Sequence, residues 1–163
     1  MIRPPEDKII PRERLLELFK RLHGESRRIV TTNGCFDLFH LGHKHSLEEA
    51  KKKGDILIVG LDSDESVKKL KGPTRPIYSE TERAELLSAM EAVDFVTIFP
   101  SGGAIKYIDI LKPNVYVKSG NYNLETINQS ERKLVESYGG EIFLPKGISG
   151  FSTTEVIKKI KNE

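Results

Sequence analysis

The stretch GDILIVGL, residues 54–61, constrains the fold more than any other part of the chain. It is a continuous apolar run opened by glycine, without the polar alternation of a half-exposed strand. Such a run suits a strand buried on both faces of a parallel sheet. Parallel neighbours need crossover connections, so helices should alternate with strands on either side of it. They do. RRIVTTNG (27–34), DFVTIF (94–99), NVYVKSG (114–120) and EIFLP (141–145) read as four further strands. Between them fall helical patterns at about 42–53, 63–72, 79–91, 103–111, 125–138 and 153–161. One helix precedes them all, in PRERLLELFKRLHG, with Leu15, Leu16, Phe19 and Leu22 at helical spacing and Gly24 as its stop. In the helices at 42–53 and 79–91, Leu47 and Ala50, and Leu86, Leu87 and Met90, should face inward. The first ten residues read as a loose tail.

The expectation is one Rossmann-like, doubly wound α/β domain with a five-stranded parallel sheet. Residues 1–27 would supply a tail and helix, and 28–163 the functional domain. A chain of 163 residues can bury such a core. Its net charge of +2 is too small to argue for a nucleic acid or membrane partner. No apolar run approaches the roughly 20 residues of a membrane span. The single cysteine cannot form an internal disulfide, and the polar, proline-containing start MIRPPEDKII has no secretion h-region. These features point to a reduced, cytoplasmic protein.

Ligands of open parallel sheets bind beyond the carboxyl ends of the strands. At the first such end, TTNGCFDLFHLGHKHSLEEA carries three of the chain's four histidines within six residues. His40 and His43, spaced H-x-G-H, straddle a helix start, where unpaired N–H groups and the dipole attract anions. Gly42 lets a phosphate approach the backbone. The same pair could instead be two ordinary histidines. It could also hold a metal with Asp37 or His45 as third ligand. His45 should point away into solvent, and Cys35 should be a small, unreactive buried residue. Asp37 could orient the turn or a histidine ring, or be a buried cap. SGFSTTE and SETE both show a capping-box pattern, Ser152 with Glu155 and Ser79 with Glu82.

From residue 28 onward the chain resembles the cytidylyltransferase-like nucleotidyltransferases. The resemblance rests on GCFDLFHLGH, on SD after the second strand, on LKG then RPI, and on ER opening the next helix. AVD, KPNVYVKSGNY, YGGEIFLP and STTEVIKKI continue it. Among these proteins it is similar in particular to the heptose 1-phosphate adenylyltransferases, with glycerol-3-phosphate cytidylyltransferase a more distant relative.

The resemblance implies transfer of AMP from ATP to a sugar phosphate, in-line and without a covalent enzyme intermediate. It implies magnesium arriving with the nucleotide, pyrophosphate as leaving group, an ADP-sugar for surface glycan or lipopolysaccharide core as product, and a homodimer. CTP with glycerol 3-phosphate or another polyol phosphate is the alternative, FMN adenylyl transfer a remoter one. A non-catalytic nucleotide-binding module is the rival from another class. By resemblance His40, His43 and Lys71 are catalytic, with Lys71 reaching across the phosphates from a hinge-like loop. Cys35, Phe36, Gly42, Ser152, Thr153 and Thr154 bind the nucleotide. Asp37, Asp64, Arg75, Lys118, Asn121 and Lys146 are candidates for the other substrate. Arg83 is a further candidate beside Arg75, or simply an exposed helix charge.

The chain departs from the patterns of these relatives at three points. It has Ser119-Gly120-Asn121-Tyr122 where those enzymes read G-G-D-Y, and Pro100–Ala104 where they carry an acidic E-D-T-P stretch. It also has Lys146 where the glycerol-phosphate relatives carry arginine.

Overall fold

The computed structural model describes residues 4–100, 102–120, 122–148, 150–151 and 153–161. The expected alternation is present. After helix α1 (Leu15–Gly24) the chain runs β1 (Ile29–Gly34), α2 (Leu41–Lys51), β2 (Ile56–Asp62), α3 (Asp64–Lys71) and α4 (Glu80–Ser88). It continues through β3 (Phe95–Phe99), α5 (Ala104–Leu111), β4 (Val115–Val117), α6 (Gln129–Ser137), β5 (Glu141–Phe143) and α7 (Thr153–Lys161). All five strands are parallel, in the order β3-β2-β1-β4-β5. The order reverses between β1 and β4, and that reversal opens the crevice where such sheets bind ligands.

β2 is buried along its whole length, as its unbroken apolar run requires. Within it Gly60 makes room rather than a turn. A Cβ there would lie 2.7 Å from the Phe99 ring and 2.9 Å from Tyr107, both packed across the strand. One face of the sheet carries Leu15, Leu18 and Leu22 of α1 with Tyr107, Ile108 and Leu111 of α5 and Val135 of α6. The opposite face carries Leu47 and Ala50 of α2 with Ala84 and Leu87 of α4. Each buried aliphatic side chain contributes about 1.5–3 kcal/mol, so these two layers dominate stability.

Helical phase departs from expectation in two places. Leu16 is 50% exposed while Leu18 is buried, and Leu86 is 45% exposed while Leu87 is buried. Both helices have more apolar residues than inward positions, and docking decides which are used.

Residues 8–10 are not a loose tail. Ile9 bridges Val96 in parallel, Ile10 N–H donates to the Val96 carbonyl at 2.8 Å, and Val96 N–H donates to the Lys8 carbonyl at 2.8 Å. Lys8 Nζ donates to the carbonyls of Met90 and Val93 beyond the end of α4. The segment thus covers the outer edge of β3. Among the described residues no helix is long and apolar enough to cross a membrane.

Candidate functional site

The turn from β1 into α2 is built around two imidazoles. Phe36 adopts a left-handed backbone conformation, φ 45°, and its buried ring lies 5.2 Å from the ring of His43. His40 is the N-cap of α2. Its Nδ1 and its carbonyl both accept the His43 N–H, at 3.4 and 2.9 Å, and the two rings stack at 3.7 Å and 18°. An accepting Nδ1 assigns the His40 proton to Nε2. His43 Nδ1 is buried with no partner among the described residues. A bare buried acceptor is tolerated better than a bare N–H, so the same tautomer is favoured for His43.

Burial holds His40 below the ordinary imidazole range. Burial first, then the His40 charge, pushes His43 down to about 4, against an opposing pull from Asp37. At neutral pH the pair is therefore uncharged, two ring N–H donors at a helix N-terminus. A Cβ on Gly42 would lie 3.0 Å from His40 Cε1 and Nδ1, and 3.5 Å from the Cβ of Phe151. The glycine lets the His40 ring fold back over the helix, and it brings the segment just before α7 against the same turn.

Asp37, 2% exposed, does not orient a histidine. Its Oδ1 accepts from the N–H groups of Ile77 and Tyr78, at 2.7 and 3.3 Å, and its Oδ2 pairs with Arg75 Nε. Arg75 is thereby a tie between two loops rather than an open substrate contact. His45, half-buried, makes one exposed bond through Nε2 to the Lys146 carbonyl at 3.2 Å. Neither candidate third ligand joins the histidine pair, and among the described residues no three His, Cys, Asp or Glu side chains cluster as a metal cage.

Arg83 is the largest correction. It is fully buried and donates to the carbonyls of Tyr78, Cys35 and Asp62 and to Asp64 Oδ1. One guanidinium fork so joins the histidine turn, the end of β2 and the loop before α4. Asp64 pairs with it through Oδ1 at 2.7 Å, its side chain one-third exposed. Cys35 donates to Asp62 at 3.6 Å, and burial and that carboxylate push its thiol up to about 11, an inert state as expected.

Lys71 is the last residue of α3 rather than part of a loop; it is exposed and its charge acts on Cys35, so it stands beside the histidine turn. Lys118 is turned inward onto Asn33, Tyr116 and Glu131. Lys146 is exposed and meets His45 only through its backbone. Thr153 and Thr154 open α7. Ser152, Asn121 and the side chain of Glu155 lie outside the described residues. Ser79 and Glu82 do form the capping box their spacing predicts.

The cytidylyltransferase-like family model matches residues 31–159. The bifunctional protein HldE of Syntrophotalea carbinolica is 43% identical over 155 residues, which cover 95% of this chain and 31% of that protein. The bifunctional protein HldE of Geobacter metallireducens is 47% identical over 134 residues, 82% of this chain and 27% of that protein. The chain thus spans about a third of the length of these curated relatives. Among solved structures, the lipopolysaccharide core biosynthesis protein of Thermoplasma volcanium superposes with TM-score 0.64 at 28% identity, over 76% of this chain and 99% of that one. A pantoate-β-alanine ligase of Francisella tularensis shares the fold, with TM-score 0.57 at 13% identity over 94% of this chain and 76% of that one.

Proposed function

The chain belongs to the cytidylyltransferase-like family, and from that premise and the His40–His43 turn we propose that it transfers AMP from ATP to a sugar phosphate of the heptose 1-phosphate kind. The product is an ADP-sugar for surface glycan or lipopolysaccharide core. The observation that carries this reading is the pair of stacked, uncharged imidazoles over the N-terminus of α2. Two ring N–H donors beside free backbone N–H groups suit phosphate oxygens whose charge grows during reaction.

An oxygen of the acceptor phosphate attacks the α-phosphorus in line. The bond from that phosphorus to the bridging oxygen breaks, and pyrophosphate leaves with the electron pair. His40 and His43 hold the triphosphate and meet the developing charge. Lys71 reaches over it from the end of α3, and Thr153 and Thr154, with Ser152, take the outer phosphates at the start of α7. The backbone of Cys35 and Phe36 runs along the nucleotide.

Asp37, Asp62 and Asp64 already spend oxygens on Arg75, on Ser66 and on Arg83. This donor set fits a magnesium ion carried by the nucleotide itself, with few protein ligands. Bound with the nucleotide, such an ion would supply neutralisation of phosphate charge. A homodimer and a cytoplasmic location belong to the same proposal.

The test is a pyrophosphate-release screen of ATP, CTP, GTP and UTP against sugar and polyol phosphates. ATP with a heptose or related sugar 1-phosphate should win. A tenfold preference for CTP would move the assignment to a polyol-phosphate cytidylyltransferase. Tight nucleotide binding with no release for any pair would make the chain a binding module.

A further inference from the structure

Asn33, near the end of β1, lies at the reversal of strand order, with a buried polar network against one side of its amide. Its Oδ1 is 2.6 Å from the Tyr116 hydroxyl and 3.2 Å from Lys118 Nζ. Lys118 Nζ is also 3.0 Å from Glu131 Oε2, and the Tyr116 hydroxyl is 2.7 Å from that same oxygen. Tyr116 is fully buried, Glu131 is 5% exposed and the Lys118 side chain 16%.

A tyrosine hydroxyl has one proton and donates or accepts, so Tyr116 alone would not choose between the two orientations of the amide; with Lys118 donating to Glu131 Oε2, that proton is free for Asn33 Oδ1. An ammonium group only donates. Turning the amide over would set its NH₂ against Lys118, so Lys118 fixes the oxygen inward, and Glu131 in turn holds Lys118. The Asn33 NH₂ is left with no hydrogen-bond partner among the described residues, and it is not sealed in the core, since Asn33 is half-buried.

Alternation along β1 puts Asn33 on the face shared with Ile29, the face of α1, α5 and α6. The imidazole pair sits with α2 on the opposite face. The Asn33 amide therefore faces the half of the crevice that the triphosphate grip leaves free. Because Glu131 neutralises Lys118, that half offers a neutral donor rather than net positive charge, which suits a hydroxyl better than a phosphate.

We propose that the Asn33 side-chain amide donates to a sugar hydroxyl of the acceptor, with Lys118, Tyr116 and Glu131 as positioning residues that hold it in that orientation. The assignment of the ligand as an acceptor sugar rests on the activity proposed above.

Asn33→Ala should raise KM for the sugar phosphate at least tenfold and leave KM for ATP within twofold. Glu131→Gln should raise the same KM less. The double variant should be no worse than Asn33→Ala alone, because Glu131 acts through Asn33. A rise in both KM values, a rise for ATP only, or simple additivity in the double variant would overturn the proposal.

A second measurement does not depend on turnover. The Asn33 NH₂ pair in a ¹H–¹⁵N spectrum, identified by its loss in Asn33→Ala, should shift on addition of the acceptor that wins the screen. If no pair turns over, heptose 1-phosphate is added instead. In that case the activity proposal fails by itself, and this shift still decides the role of Asn33. A shift with ATP but none with the sugar phosphate would sink it.

Discussion

Two imidazoles stacked face to face and kept uncharged make the histidine turn sensitive to acid. His43 is held near 4, whereas an unfolded imidazole titrates near 6.5. Between those values the unfolded chain binds a proton that the native ring refuses. Stability from this group is therefore complete above about pH 6.5 and is lost as pH falls towards 4. Thermal melts across that window should fall with acidification, and His43→Phe should flatten the fall. An unchanged slope in the variant would remove His43 as its source. A triphosphate beside the rings acts in the opposite sense and raises their proton affinity. ATP binding near pH 5.5 should then take up protons, visible as buffer-dependent heats in calorimetry. On turnover, His40→Ala and His43→Ala should each cost ~10²-fold in kcat, the order expected for losing a donor to transition-state charge. Wild-type turnover in both would refute the phosphate role of the turn.

The start of α2 shows how an element is shaped by what must lean over it. Alanine at position 42 would improve helix propensity by up to about 1 kcal/mol. Its Cβ, however, would crowd the His40 ring at 3.0 Å. Gly42→Ala should therefore melt no lower than wild type and turn over at least tenfold more slowly. A variant both stable and fully active would show that the ring position is not needed.

α4 depends on a different device, the buried fork of Arg83. Arg83→Met leaves three carbonyls and Asp64 without their donor and should cost about 3 kcal/mol, or on the order of 6–12 °C in Tm. This fork was illegible in the sequence, because an arginine in the first turn of a helix ordinarily faces water. The same limit explains Asp37 and Arg75, whose partners lie some 40 positions away and carry no periodic signal. The H-x-G-H spacing and the Ser79–Glu82 capping box were legible, since their geometry is local. Helix phase at Leu16 and Leu86 was not, because several leucines fitted equally well and only the facing sheet chooses among them.

At the scale of the molecule, β2 could be read from its apolar run alone, because a strand covered on both faces has few polar positions to confuse the pattern. The N-terminal segment could not. A single bridge at Ile9 has no period, and Lys8 in the stretch EDKII reads as solvent-facing until its carbonyl partners are seen. Removing residues 1–10 should uncover the edge of β3 and promote self-association, measured by light scattering during refolding. A truncated chain that stays as monodisperse as the full one would show that the edge needs no cover.

The sheet also keeps two sets of residues apart. The imidazole pair rests on the side of α2, and the Asn33 network on the side of α6. On the roles proposed above, phosphoryl attack would be served from one side of the sheet and the choice of acceptor from the other. If Asn33 selects the acceptor as proposed, substitutions on the α6 side would change the sugar without touching the rings over the start of α2.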